Sequence, residues 1–192
     1  MGRKLITAPT DEPINLAEIK NFLRIDGDDD EWLLLDLIRG ARTVFETETG
    51  RQLITATWEY YLDNFEDEIE LPLPPLQTIT LIKYYDEDGV EQTVSSDDYE
   101  ADVTVEPGII RLKWWDDATW PTIQTRPNCI TIKYTAGYGT RSDVPERAKE
   151  AMRLLIGHWY ENREDVIVGN YARQLPRGFN SLVNGLKVPY FP

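Results

Sequence analysis

The sequence predicts an α+β fold: a helical bundle of two N-terminal helices and one C-terminal helix, an inserted small antiparallel β-domain, and an extended C-terminal tail. Three observations predict it. Apolar residues recur at helical spacing through the first 50 positions, the period shortens to two from Arg51, and helical spacing returns after Pro145. The resulting boundaries are 1–50 and 143–163 for the bundle, 51–142 for the β-domain and 164–192 for the tail.

The first helix starts at Asn15, with Glu18 three residues on in the manner of a capping box. Leu16, Ile19, Phe22 and Leu23 give its apolar stripe, and Ile25-Asp26-Gly27 ends it. Asp28 and Glu31 open a second helix, in which Leu34, Leu37, Ile38, Ala41, Val44 and Phe45 form a stripe and Gly50 is placed to cap the end. Trp32, Leu33 and Leu35 widen that stripe beyond one face, which predicts a second partner surface. Thr57 to Asp63 alternates as a strand, and Ile69 with Leu71 makes a short one. Leu71-Pro72-Leu73-Pro74-Pro75-Leu76 reads as a polyproline-like crossing segment. Ile79–Tyr85, an Asp88-Gly89 turn and Val90–Val94 read as a hairpin, and 109–112 and 130–134 supply further strands. Pro145 suits the first turn of a helix whose buried face is Ala148, Ala151, Met152, Leu155 and Trp159. The glycines and prolines beyond Glu164 leave room for one short helix, around Phe179 to Leu186.

Composition narrows the function. The chain has 192 residues, 41% of them hydrophobic, so it has ample material for a core. Its 20 basic residues face 34 acidic ones, a net charge of −14, which excludes nucleic-acid binding by bulk charge. One Cys excludes an intrachain disulfide, and one His removes most zinc sites and most His-based catalysis. No apolar segment follows the basic start Arg3-Lys4, so no signal peptide, membrane association or export is expected.

Candidate sites are few. Asp26, Asp28 and Asp30 match the first three calcium-loop ligands, but Glu31 stands where glycine is needed and Leu37 where a bidentate Glu is needed. The acids read instead as favourable charge at a helix N-terminus. His158 lies beside Trp159 on an apolar helix, Cys129 reads as a small buried hydrophobe, and Gly137-Tyr138-Gly139 reads as a turn. Neither a catalytic site nor a bound metal or cofactor is expected. The segment Trp114-Trp115-Asp116-Asp117-Ala118-Thr119-Trp120 is more distinctive: its tryptophans suit a core or an inter-subunit contact, as Trp32 does, before a sugar platform.

Motifs spread along the chain carry a resemblance. They are Pro13-Ile14-Asn15-Leu16-Ala17-Glu18, Leu23-Arg24-Ile25-Asp26, Thr49-Gly50-Arg51-Gln52-Leu53-Ile54, Thr57-Trp58-Glu59 and Leu71 to Leu76. Tyr134 to Gly139, Val144-Pro145, Tyr160 to Glu164 and Leu175-Pro176 continue the series. In this order they resemble the head–tail adaptor (connector, or head-completion) proteins of long-tailed bacteriophages and gene transfer agents.

The resemblance implies a structural role rather than an enzymatic one. It implies a homo-oligomeric ring, commonly of twelve copies, under the portal protein and above a neck or tail-completion protein in the virion. DNA would pass through its channel without specific binding. The family's C-terminal segment tends to contact the portal, which here points to Arg173, Arg177, Leu182, Lys187, Tyr190 and Phe191. The tail is expected to leave the folded body for another chain, and the acids of Asp86-Glu87-Asp88 and Asp116-Asp117 to face the lumen. The alternatives are another neck or tail-completion subunit, a carbohydrate-binding module using Trp114, Trp115 and Trp120, and a hydrolase built on Asp and Glu.

Overall fold

A computed structural model of the chain describes residues 2–113, 118–162 and 177–188. Among the described residues, the fold is α+β, with four α-helices and two antiparallel sheets. It divides into a β unit, residues 1–9 and 55–138, and a helical unit, residues 10–54 and 139–192.

In the β unit, the strands are β1 (Gly2–Thr7), β2 (Ala56–Leu62), β3 (Glu68–Leu71), β4 (Leu76–Tyr85), β5 (Glu91–Thr93), β6 (Tyr99–Asp102), β7 (Gly108–Leu112) and β8 (Ile130–Ala136). One sheet has the order β1-β2-β8-β4-β5 and the other β3-β7-β6. Alternation decides the buried face: Ile130, Ile132, Tyr134 and Ala136 of β8 point inward, as do Ile69 and Leu71 of β3. With Leu62, Leu76, Ile82, Tyr99 and Ile110 they form one apolar cluster fed by both sheets. Gly108 is required by close approach, since a Cβ there would lie 2.5 Å from Cβ of Leu76. The Tyr134 hydroxyl donates to the carbonyl of Pro72 at 2.9 Å and anchors the Pro-rich crossing. Burial pushes that hydroxyl's pKa above the usual tyrosine range. Leu73, within the crossing, adopts φ 64° while its side chain is buried, so packing overrides its backbone preference.

The helical unit contains α1 (Leu16–Leu23), α2 (Glu31–Thr49), α3 (Glu146–Glu161) and α4 (Arg177–Asn184). The capping box of α1 is formed in full: Glu18 N–H donates to Asn15 Oδ1 at 2.7 Å and Asn15 N–H to Glu18 Oε2 at 3.0 Å. Gly50 ends α2 at φ 70°, donating its N–H to Glu46. Leu34, Leu37, Ile38, Ala41 and Phe45 of α2 are buried, as are Ala151, Met152, Leu155, Ile156 and Trp159 of α3. Gly40 lets the Trp159 ring lie close to α2.

Three expectations change. Gly2–Thr7, assigned above to the helical bundle, forms β1 and belongs to the β unit, because it pairs with β2. Strand β6 was not expected; Tyr99-Glu100-Ala101-Asp102 holds a single strong strand former. The tail was expected to leave the body, yet its described part, 177–188, packs on the helical unit. Phe179 and Val183, four residues apart, are fully covered, and the Val188 N–H donates to the Thr49 carbonyl at 2.9 Å. The short helix expected around Phe179 is α4.

Candidate assembly surface

The acid run before α2 is organised by tertiary contacts. Lys20 of α1 donates to Asp28 at 2.6 Å and to Glu31 at 2.9 Å. This holds the Asp28 carboxyl below, and the Lys20 ammonium above, its ordinary pKa. Asp30 accepts the Tyr160 hydroxyl at 2.6 Å, joining the start of α2 to the end of α3. The acids therefore serve the helix junction. Among the described residues, no three His, Cys, Asp or Glu side chains gather in a way that could hold a metal ion.

Beyond this junction α2 turns apolar groups outward. Trp32 is 67% exposed and Leu35 40%, one helical turn apart on the side away from Leu34 and Leu37. Of the three residues that widen the stripe, Trp32 and Leu35 are exposed and Leu33 is half-buried. Phe22, counted above in the apolar stripe of α1, is 47% exposed and lies beside Gly157.

Further along α2, Arg42 is clasped between Glu12 (2.7 Å) and Glu46 (3.1 Å). Glu46 also accepts from Gln52 Nε2 at 2.8 Å and from Leu53 N–H at 2.9 Å. Burial is the chief cause that raises the Glu46 carboxyl above its ordinary pKa, against the pull of Leu53 N–H and Arg42. Arg141 donates to the Glu12 carbonyl at 2.9 Å and pairs with Asp11, so the clasp reaches the second stretch of the unit.

The residues expected at the portal fall into two groups. Arg173, Tyr190 and Phe191 lie outside the described residues. Arg177 is exposed at the start of α4, Leu182 is half-buried, and Lys187 is exposed and pairs with Glu48 at 3.3 Å. Arg51 Nε donates to the Leu186 carbonyl and Arg147 to that of Ser181, so this segment is held by backbone acceptors.

In the β unit, Trp114, Trp115, Asp116 and Asp117 also lie outside the described residues. Trp120 stacks on Phe65, ring centres 4.4 Å apart and planes 4° from parallel, and donates its indole N–H to the Glu66 carbonyl. Phe65 meets Tyr84 edge-on, so Trp120 fills a loop core rather than offering that face to a sugar. In the Asp86-Glu87-Asp88 hairpin, Asp86 accepts from Gln92 and from the N–H groups of Asp88 and Val90, which keeps its carboxyl low. Cys129 is buried. His158 sits in the last turn of α3, its Nδ1 3.4 Å from the Asn162 side-chain amide.

One exposed feature had no counterpart in the sequence reading. The outer strand β1 carries Leu5 and Ile6, 41% and 38% exposed, beside exposed Arg3 and Lys4. The signal was available in Leu5-Ile6-Thr7, a run of strand formers, but it is too short to stand out.

A comparison with curated proteins returned no match. Among solved structures, the chain is similar to one in the neck of an empty GTA particle computed with C6 symmetry. The TM-score is 0.81 at 25% identity, covering 100% of this chain and 98% of that one. A chain in the virion of a native gene transfer agent (GTA) particle gives 0.80 at 25% identity, with the same coverage. One in the neck of a native GTA particle computed with C12 symmetry gives 0.76 at 27% identity, again covering 100% and 98%. The model of the phage gp6-like head-tail connector proteins matches residues 13–108, half of the chain. The chain belongs to the phage gp6-like head-tail connector protein family.

Proposed function

We propose that this chain is the adaptor subunit of a neck ring in a phage or phage-like particle, joining the portal to the neck or tail below and lining the channel through which DNA leaves. The observation that carries this reading is the full-length likeness to chains of GTA necks computed with C6 and C12 symmetry, joined to membership of a head-tail connector family. A ring of twelve copies fits the second of those symmetries. The role is mechanical, so the relevant chemistry is that of surfaces. Exposed Arg177 and Lys187 supply basic groups next to the segment that the resemblance assigns to the portal, and Arg173, Tyr190 and Phe191 would extend that contact.

The channel reading concerns charge. Basic walls would bind phosphate and hold the duplex, whereas acidic walls let it slide. The hairpin acids, half-buried Asp86 and exposed Glu87 and Asp88, are assigned to the lumen on this argument.

The test is particle assembly without this chain. Full heads that lack tails, restored by the purified protein, are expected. Electron micrographs of restored particles carrying a tagged chain should show the tag as a ring at the neck. Normal tailed particles in its absence would overturn the reading.

A further inference from the structure

The contact between neighbouring copies can be assigned if the chain works in a ring, and the inference rests on that reading. Strand β1 is the outer strand of its sheet and pairs with β2 alone. An open strand edge presents backbone donors and acceptors that join another chain unless something covers them. Arg3 and Lys4 on this edge have no carboxylate partner among the described residues, and Leu5 and Ile6 stand exposed beside them. In a chain of net charge −14, this is an uncommonly basic and apolar strip.

The start of α2 is its opposite. Trp32 and Leu35 project there among Asp28, Asp29, Glu31 and Asp36, with which Lys20 and Arg39 are the cations paired among the described residues. The Trp32 indole N–H has no acceptor among the described residues, and an indole N–H at an interface ordinarily finds one. We propose that in the assembled ring the Trp32–Leu35 ridge of one copy covers the β1 edge of the next copy. The ridge acids face Arg3 and Lys4, the apolar side chains pack on Leu5 and Ile6, and the indole donates to a β1 carbonyl. The contact joins two different patches, and such a heterologous contact is what closes a cyclic ring. Charges on an edge strand can also serve merely to prevent pairing, but that role does not account for exposed Leu5 and Ile6 or for Trp32.

The test uses the whole chain in assembled particles. Leu5→Cys and Trp32→Cys are introduced together and treated with a short bis-maleimide cross-linker. A ladder of covalent oligomers is expected, whereas Val90→Cys with Trp32→Cys should stay monomeric. Arg3→Glu with Lys4→Glu should lower ring occupancy at least tenfold, and adding Asp29→Lys with Asp36→Lys should recover most of it. All four sites are exposed, and unchanged circular dichroism verifies the fold of each variant. Rings that give no ladder, or that assemble normally with Arg3→Glu and Lys4→Glu, overturn this seam and leave the ring reading standing. Particles in which the unaltered chain forms no ring overturn both.

Discussion

The two units close their cores by different means. The β unit distributes its apolar residues along period-two strands, so Ile130, Ile132, Tyr134 and Ala136 share the load with partners on both sheets. The helical unit assembles stripes from distant stretches and ties them with a few long-range polar contacts. Arg42 meets Glu12, Arg141 meets Asp11, and Arg51 reaches Leu186 across most of the chain. The difference teaches that damage should be graded in the β unit and concentrated in the helical unit.

The largest effect tests whether the C-terminal segment belongs to that concentrated core. Phe179→Ala and Phe45→Ala are each expected to cost about 3–5 kcal/mol in denaturant unfolding. Ile82→Ala in the β unit should fall in the broader range of about 2–5 kcal/mol. A Phe179→Ala variant as stable as the unaltered chain would return α4 to the status of a free arm.

Next comes the clasp. Arg42→Ala leaves Glu12 and Glu46 without their shared cation. A loss of about 2 kcal/mol is expected, below the roughly 3–5 kcal/mol of a fully buried pair because water still reaches Glu12. An unchanged denaturation midpoint would show that the clasp is ornamental and that both units distribute their load alike.

Trp120→Ala removes a stacked ring and its hydrogen bond from a half-buried loop, an expected loss of about 1–2 kcal/mol. The near-ultraviolet dichroism of the stack should vanish with it. Asn15→Ala, which opens the capping box of α1, should cost about 1 kcal/mol, and Asn15→Ser much less.

The smallest effect is a slope with pH. Glu46 has a folded pKa above its unfolded one, so its contribution is fully present below the unfolded value and is lost as pH rises through the folded value. Asp86 and Asp102 of the β unit are lowered, so theirs is present above the unfolded value and is lost as pH falls through the folded one. On acidification from neutrality to the ordinary glutamate pKa, the unaltered chain should therefore gain on Glu46→Gln. Parallel stability curves for the two proteins would remove Glu46 from the comparison.

Local signals were legible in the sequence and cross-chain ones were not. The capping box of Asn15 and Glu18, the Gly50 cap, the β8 alternation and the α3 stripe all depend on neighbours within a few residues. Strand β1 escaped because an edge strand needs no buried face, so Arg3 to Thr7 shows no alternation. Trp120 was visible, but its partner Phe65 lies in another loop. The acids before α2 were legible as helix-start charges, whereas Lys20 as their organiser depends on how α1 docks. At the candidate surface, the outward set of Trp32 and Leu35 followed from a stripe too wide for one core face, but the basic edge did not.

The division of the chain also fixes an order of events at the ribosome. Residues 10–54 of the helical unit emerge early, and residues 55–138 must be synthesised before its second stretch begins. At roughly 5–20 residues per second, α1 and α2 wait on the order of 10 seconds for α3, and longer for Phe179. During that interval Leu34, Ile38 and Phe45 have none of their later partners, while the β unit can already close. The nascent chain thus carries a β unit able to close and two helices, α1 and α2, that still lack α3 and α4, the kind of transiently exposed apolar surface for which chaperones exist.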